Sequence, residues 1–200
     1  MYIFWDNSNI HISGFNTVRP NIEPEAPKEL FRTDFKKLFQ LVSKDRKVDA
    51  AFLSGSIPPP NDSLWEYLRK MGIKLQLLNR TAEGKEQESV DMSLQTMMLR
   101  TAVDHLKEET STIAILTGDG AGKQLGEGFL SDLIRIKKLT NWEIEIYAWE
   151  TTCSKALKRY AQENGKFIRL EDYYYSITYI QKDREGVIAY SRPSKPLVLN

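Results

Sequence analysis

The stretch Tyr2-Ile-Phe-Trp-Asp-Asn-Ser-Asn9 decides the fold, because apolar and aromatic residues run from the first position directly into Asp6. An uninterrupted apolar run is typical of a strand that is buried on both faces, as in the middle of a parallel sheet. Asp6 then falls at the carboxyl end of the strand, which is where open α/β sheets bind their ligands. The stretch therefore predicts both the centre of the sheet and the location of a site.

Downstream of this strand, strand-like and helix-like segments alternate. Short apolar runs predict strands at 48–53, 73–78, 113–116, 142–149 and 166–170. Apolar residues at helical spacing predict helices at 28–44, 64–71, 90–106, 129–139 and 153–162. This alternation favours a three-layer α/β/α fold with a mainly parallel central sheet.

Two segments depart from the alternation. Residues 7–27 contain one glycine and three prolines, which predicts an irregular loop with at most a short helical turn. Tyrosine-rich sequence from Tyr173 onward, followed by a polar turn near 183–186, predicts a β-hairpin or an arm packed on the domain. We therefore divide the chain into a domain at 1–170 and a C-terminal arm at 171–200.

Composition excludes several classes of protein. The 200 residues are 41% hydrophobic and 28% charged, as is usual for a globular domain. The net charge of +1 excludes a strongly basic nucleic-acid binder, so a nucleic-acid contact requires a local patch. The single cysteine, Cys153, excludes an internal disulfide and indicates a reducing compartment. With no recognisable signal peptide or membrane-spanning run, we expect a cytoplasmic protein without a membrane partner.

Four carboxylates have a route to the rim formed by the strand ends. Asp6 and Asp119 end the first and fourth strands, Asp91 opens the long third helix, and Asp132 opens the next one. Carboxylates gathered in one place repel each other unless a cation neutralises them. Mg²⁺ or Mn²⁺ takes oxygen ligands and lowers the pKa of a coordinated water. The pattern therefore predicts a divalent-metal site suited to phosphodiester hydrolysis.

Polar and glycine residues that follow the same strand ends are candidates for substrate binding: Asn7, Asn9, Thr117, Gly118 and Gly120. Each has a structural alternative, because Asn residues and Asp-Gly pairs are common in turns. The glycine-rich segment 118–128 matches no P-loop, since Gln124 stands where the P-loop requires Ser or Thr. We interpret it as a rim segment whose backbone can approach a phosphate or the metal.

Three motifs of this sequence resemble, in their order and spacing, the acidic motifs of NYN domains, which belong to the PIN-like nuclease superfamily. They are Ile3-Phe-Trp-Asp-Asn-Ser-Asn9, Val90-Asp-Met-Ser-Leu94 and Ile115-Leu-Thr-Gly-Asp119. The resemblance covers about residues 1–170. It implies a PIN-like, Rossmannoid fold and a metal-dependent ribonuclease activity.

The resemblance also assigns roles to particular residues. By this resemblance the metal ligands and their polar partner are Asp6, Asp91, Asp119 and Asn9. Many NYN domains carry a second aspartate in the third motif, and Ala121 occupies its place here. The carboxylate count is therefore lower, unless Asp132 replaces the missing ligand from beyond the glycine-rich segment.

RNA is the partner that the resemblance implies, and two basic segments could contact it. Residues 28–47 carry seven basic and three acidic side chains, and residues 153–169 carry five basic and one acidic. The tyrosines at 173–175 could stack on unpaired bases. Solvated helix faces and packing of the tail are the structural alternatives. A homodimer formed through the tail is compatible with the sequence.

Three functions remain open from the sequence. The leading hypothesis is an endonucleolytic, Mg²⁺- or Mn²⁺-dependent ribonuclease that uses Asp6, Asp91 and Asp119. The second is an NYN-fold module with weak or no catalysis that binds RNA or a protein. The third is a phosphohydrolase acting on a nucleotide or another small molecule with the same carboxylates.

Overall fold

The computed structural model describes residues 1–57, 62–79, 86–107, 110–120, 126–182, 190–193 and 195–198, with the backbone alone at 56, 57, 62, 78, 79 and 86–91. The strands within these residues are β1 Tyr2–Asp6, β2 Phe31–Thr33, β3 Ala50–Ile57, β4 Ile73–Asn79, β5 Thr112–Leu116, β6 Glu143–Ala148, β7 Lys166–Arg169 and β8 Thr178–Ile180. The α-helices are α1 Asn7–Ser13, α2 Arg19–Ile22, α3 Phe35–Ser43, α4 Asp62–Lys70, α5 Glu86–Asp104, α6 Gly128–Leu139, α7 Lys155–Asn164 and α8 Tyr174–Ile177.

The central sheet is parallel and has the strand order β4-β3-β1-β5-β6-β7. β1 lies between β3 and β5, with Asp6 opposite Ser54 and Trp5 opposite Leu116. All five residues of β1 are buried. The predicted central strand and the three-layer α/β/α arrangement are therefore confirmed.

Alternate residues of β1 pack on opposite faces of the sheet. Ile3 and Trp5 belong to an apolar cluster with α3 and α4, whereas Tyr2 and Phe4 belong to one with α5, α6 and α7. Asp6 follows Phe4 by two positions, so it lies on the face that α5 and α6 cover. This parity determines which helices can contribute to a site at Asp6.

The loop predicted at 7–27 is wrong, because the structure is helical from Asn7 to Ile22. Asp6 caps α1 by accepting a hydrogen bond from the backbone N–H of Asn9 at 3.0 Å. A π-helical turn at 14–18 joins α1 to α2. Pro20 lies in the first turn of α2. Proline is tolerated at this position because the N–H it lacks is not needed for an α-helical hydrogen bond there.

The single helix predicted at 28–44 is also wrong. A 3₁₀ turn covers 28–30, β2 follows, and α3 begins only at Phe35, capped by the Asp34 carboxylate. β2 pairs antiparallel with β8, placing Phe31 opposite Ile180. Periodicity within a short window cannot detect a strand whose partner lies so far along the chain.

The C-terminal residues form an arm that packs on the domain. β8 pairs with β2, and residues 183–189 of the predicted hairpin lie outside the described residues. The Ser176 hydroxyl donates to the carbonyl oxygens of Lys195 and Pro196, each at 3.1 Å. The predicted division of the chain at residue 170 stays a prediction.

Other boundaries shift by a few residues. β3 continues through Ile57, past the turn expected from residue 54, and α5 begins at Glu86 rather than at Val90. The rest of those two expected loops, 58–61 and 80–85, falls outside the described residues, as does 121–125 of the glycine-rich segment. None of the helices described in the structure has the length and apolarity needed to cross a membrane.

Candidate active site

Asp6 is the centre of the candidate site and is completely buried at the carboxyl end of β1. One carboxylate oxygen, Oδ1, accepts the Asn9 backbone N–H at 3.0 Å, and the other, Oδ2, accepts the Thr117 hydroxyl at 3.0 Å. One donor lies in the first turn of α1, which follows β1, and the other directly follows β5. The carboxylate is thus held in one orientation by the two strand ends that the sequence predicted to converge.

Thr117 connects Asp6 to Asp119. Its Oγ1 donates to Asp6 and also accepts the backbone N–H of Asp119 at 3.1 Å. The Asp119 charge lies close enough to raise the pKa of Asp6. The structure therefore links the Asp6 carboxylate to the backbone of Asp119 through one hydroxyl, with the Asp119 charge nearby.

The pKa of the Asp6 carboxyl is raised from 3.8 to about 6. Burial is the largest cause, since it removes water from the charged form, and the Asp119 charge adds to the rise. The hydrogen bonds from Asn9 and Thr117 lower the pKa in part. A carboxylate that is costly to ionise in this position favours a nearby cation.

Asn9 links the start of α1 to the segment that follows β5. Its Oδ1 accepts the backbone N–H of Gly118 at 2.8 Å, while its own N–H donates to Asp6. The predicted role of Asn9 as a polar partner of the carboxylates fits this geometry. Its side-chain oxygen is engaged with backbone, so a contact with substrate requires the remaining amide N–H group.

Asn7 and Ser54 present buried oxygen atoms that have no hydrogen-bond partner in the described part of the chain, Asn7 Oδ1 and Ser54 Oγ. Ser54 lies opposite Asp6 in the register of β1 and β3, and a Cβ atom on Gly55 would stand 3.5 Å from Asn7 Cβ. Sequence reasoning missed Ser54, since it assigned residue 54 to a turn. Unsatisfied buried polar atoms beside Asp6 extend the polar site towards β3.

Position 91 lies on α5, whose backbone the structure describes there. The Asp91 side chain lies outside the described residues. α5 packs against β1 and β3, and its Leu94 is buried with Phe4. Position 91 precedes Leu94 by about one helical turn, in the direction of the strand carboxyl ends. Gln95, on the next turn, accepts the Gly128 N–H at 3.1 Å.

Asp132 is buried about one turn inside α6, which begins at Gly128. Its Oδ1 accepts a hydrogen bond from Arg135 Nη1 at 2.6 Å. Burial raises the pKa of Asp132, and Arg135 opposes that rise. Within the described residues, no three acidic, His or Cys side chains are grouped so that they could hold one metal ion.

Gly118 and Gly120 allow the third motif to lie directly against the start of α7. A Cβ atom on Gly118 would stand 3.2 Å from Cys153 Cα, and one on Gly120 would stand 2.6 Å from Ser154 Cβ. The Ser154 N–H also donates to the Gly118 carbonyl at 2.9 Å. These glycines are therefore needed for close packing, whatever their predicted part in substrate binding.

Many side chains of the two basic segments are paired with acids elsewhere in the fold: Arg46 with Glu145, Lys47 with Asp49, Lys158 with Glu150, Lys166 with Glu143 and Arg169 with Glu150. Tyr174 is buried and donates its hydroxyl to Glu23. These ion pairs offset part of the positive charge that the two segments carry in the sequence. Tyr174, one of the three candidate stacking residues, packs the arm.

The fold and the site together define an α/β domain with acidic residues at the carboxyl ends of its central strands. A family model described as the NYN domain matches residues 1–171, and the chain belongs to that family. The NYN domain points to the PIN-like nuclease superfamily, whose nucleases generally use divalent metals. The resemblance seen in the three motifs is confirmed.

A solved structure supports the fold independently. A crystal structure of a protein of unknown function from Vibrio parahaemolyticus is 17% identical to this chain, with a TM-score of 0.59. The similarity covers 86% of this chain and 92% of that one. No curated protein matches the chain significantly.

Proposed function

We propose that the chain is a metal-dependent endoribonuclease that hydrolyses phosphodiester bonds at the rim formed by β1, β5 and α5. The single observation that supports it best is the buried Asp6 carboxylate, fixed by Thr117 beside Asp119. Capping of α1 would by itself explain a buried Asp6, but it would not explain the second acid, Asp119, beside it. A cation-binding function explains why both are present.

The donor chemistry of these residues fits a hard divalent cation. Asp6 Oδ1 accepts the Asn9 N–H and Oδ2 accepts the Thr117 hydroxyl, and a carboxylate has about four lone-pair sites in all. We assign Asp6, Asp91 and Asp119 as the ligands and leave out Asp132, because Arg135 already pairs with it. When bound, the cation would lower the pKa of water and neutralise charge on the phosphate oxygens.

The other residues of the site hold these ligands and position the substrate. Thr117 and the Asn9 backbone fix the orientation of Asp6, and Asn9 ties the third motif to the first. The Asn7 side chain is the group of the first motif with an uncommitted buried oxygen in the described chain. We assign to Asn7 and the backbone at Gly118 and Gly120 the positioning of the scissile phosphate.

Cleavage of a labelled single-stranded RNA by purified protein, with and without Mn²⁺ or Mg²⁺, tests the proposal. We expect metal-stimulated internal cleavage that Asp119→Asn reduces by at least about 100-fold, since one ligand and its charge are lost. Asp104→Asn is the matched control, because it removes an exposed aspartate at the far end of α5. Equal activity of the two variants would indicate a contaminating nuclease.

A binding module with weak catalysis is the second candidate. It is favoured by Ala121 in the third motif and by the pairing of Asp132 with Arg135, which leaves fewer carboxylates for a metal. Such a module would bind RNA equally well in EDTA and would not cleave it. Phosphate release from nucleotides with RNA left intact would instead indicate the small-molecule phosphohydrolase.

A further inference from the structure

A surface groove runs between the edge of the sheet at β4 and the outer side of α5. It consists of two adjoining clefts of about 430 Å³ each. Gln76 of β4 and Met97 of α5 line both clefts, so the two form one continuous depression. The groove lies on the sheet face that carries Asp6.

A row of neighbouring strand residues joins the groove to the candidate active site. Gln76 is the register partner of Ser54, and Ser54 is the register partner of Asp6. With neighbouring strands spaced about 4.8 Å apart, Gln76 lies roughly 10 Å from Asp6. An extended chain that enters the groove is therefore close to the proposed point of cleavage.

The charge of the groove is positive. Lys74 lies at one cleft and Arg100 at the other, and no acidic residue is among the described residues that line either cleft. Neither cation makes an ion pair with another described residue, and Lys74 Nζ lies 5.1 Å from the centre of the Phe52 ring. Unlike the paired cations of 28–47 and 153–169, these two can neutralise charge on a ligand.

The groove also offers apolar surface between the two cations. Met92 is 66% exposed on the outer side of α5, and Met97 lines both clefts. Apolar surface with interleaved cations suits the bases and phosphates of an unpaired strand, whose bases are accessible. Duplex RNA presents its phosphates on the outside and would leave this apolar surface uncovered.

We propose that single-stranded RNA binds along the groove between β4 and α5, with its phosphates at Lys74 and Arg100 and its bases against Met92 and Met97. This inference rests on the proposed ribonuclease function, because the groove leads to Asp6. It assigns a direction to the substrate, which runs from the site across β3 to the β4 edge of the sheet.

A second basic cleft provides the comparison. It is lined by Lys107, Lys137 and Lys138 at the ends of α5 and α6, on the side of the sheet opposite to the strand carboxyl ends. The Lys137 ammonium donates to the Trp142 carbonyl. Lysines at helix C-termini are explained by the helix dipole alone, so this cleft is the matched control surface.

The first test measures binding of a fluorescein-labelled oligouridylate in EDTA, where cleavage is absent, over a range of salt concentrations. Lys74→Gln with Arg100→Gln is expected to weaken binding about tenfold and to lower the salt slope by about 1.4, or 0.7 for each lost phosphate contact. Lys107→Gln with Lys138→Gln should leave affinity and slope unchanged. Circular dichroism confirms that both double variants are folded.

The second test locates the strand directly. A photoreactive benzophenone side chain at position 92 should crosslink the oligouridylate, whereas the same group at position 103 should not. Met92 and Val103 are both exposed on α5, at 66% and 55%, but only Met92 lines the groove. Equal crosslinking at the two positions would overturn the proposal.

The outcomes separate this inference from the proposed function. If the protein cleaves RNA but the Lys74/Arg100 double variant keeps wild-type affinity and salt slope, the proposed binding site in the groove is wrong and the ribonuclease function is retained. If the double variant loses binding and no condition gives cleavage, the proposed binding site is retained and the ribonuclease function is wrong. If an acidic peptide binds the groove and oligouridylate does not, the occupant is a protein and the inference is overturned.

Discussion

The hydroxyl of Thr117 donates to the Asp6 carboxylate at 3.0 Å and accepts the Asp119 N–H at 3.1 Å, so one buried side chain sets the relative position of two acids from distant motifs. Thr117 and Asp6 are both completely buried. An unsatisfied carboxylate oxygen in this environment costs free energy, since no water replaces the lost donor. Thr117 is therefore a positioning residue.

Thr117→Val tests this role because valine keeps the shape and removes the hydroxyl. We expect a loss of about 1–3 kcal/mol in the free energy of unfolding, measured in urea. Metal-stimulated cleavage should fall as well. Thr117→Ser keeps the hydroxyl and should recover most of the activity, whereas a loss in the Ser variant with none in the Val variant would show that only the methyl group matters.

Asp6 should make stability depend on pH in a defined window. Its pKa is about 6 in the folded protein against 3.8 for an unperturbed Asp side chain, so the folded state binds more protons between these values. Stability is then lost as pH rises from about 4 to about 6, with an upper bound of about 3 kcal/mol. Metal ions must be absent, because a bound cation would favour the charged form.

Asp6→Asn removes this titration and is the corresponding variant. In EDTA, it should equal the wild type near pH 4 and be more stable above pH 6, as measured by thermal unfolding at several pH values. Addition of Mn²⁺ at pH 7 should stabilise the wild type and not the variant. Parallel pH profiles of the two proteins would contradict the assignment.

The sequence predicted the parts of the fold that local patterns determine. The six strands of the parallel sheet are rich in apolar residues, and the sequence locates each of them to within about four residues. The region from Asn7 to Ile22 was misassigned because Pro20 was taken as a break, although it lies in the first turn of α2. β2 was missed because its partner, β8, lies about 150 residues away.

The site was predictable to the same extent. Asp6 and Asp119 were located by their positions after apolar strands, and topology alone brings such positions together. The link through Thr117 depends on side-chain geometry that no spacing reveals. Ser54 gave no signal, because a serine within a strand is indistinguishable in sequence from a serine in a turn.

Gly120 should tolerate no side chain. A Cβ atom there would stand 2.6 Å from Ser154 Cβ and 3.3 Å from Leu157 Cβ, so the start of α7 would have to move. Gly120→Ala should destabilise the protein by about 1–3 kcal/mol in urea unfolding. Ser154→Gly combined with Gly120→Ala should recover part of that loss, and no recovery would indicate a purely backbone effect.

Glu23 and Arg192 join the arm to the domain in a largely buried ion pair of 3.2 Å, with side-chain exposures of 2% and 12%. The Tyr174 hydroxyl donates to the same carboxylate oxygen, Oε2, at 2.9 Å. Arg192→Met leaves the carboxylate buried without its cation and should cost about 3 kcal/mol or more in the free energy of unfolding. Glu23→Gln with Arg192→Met should be more stable than Arg192→Met alone.

The metal affinities of Asp119→Asn and Asp132→Asn should separate the two candidate ligands. Asp119 shares a hydrogen-bonded group with Asp6, whereas Asp132 is paired with Arg135 within α6. We therefore expect Asp119→Asn to weaken Mn²⁺ binding about tenfold or more and Asp132→Asn to leave it nearly unchanged. Isothermal titration calorimetry measures both without relying on activity. A large loss in Asp132→Asn would mean that Asp132 leaves Arg135 when the metal binds, and it would restore the fourth carboxylate that Ala121 does not supply.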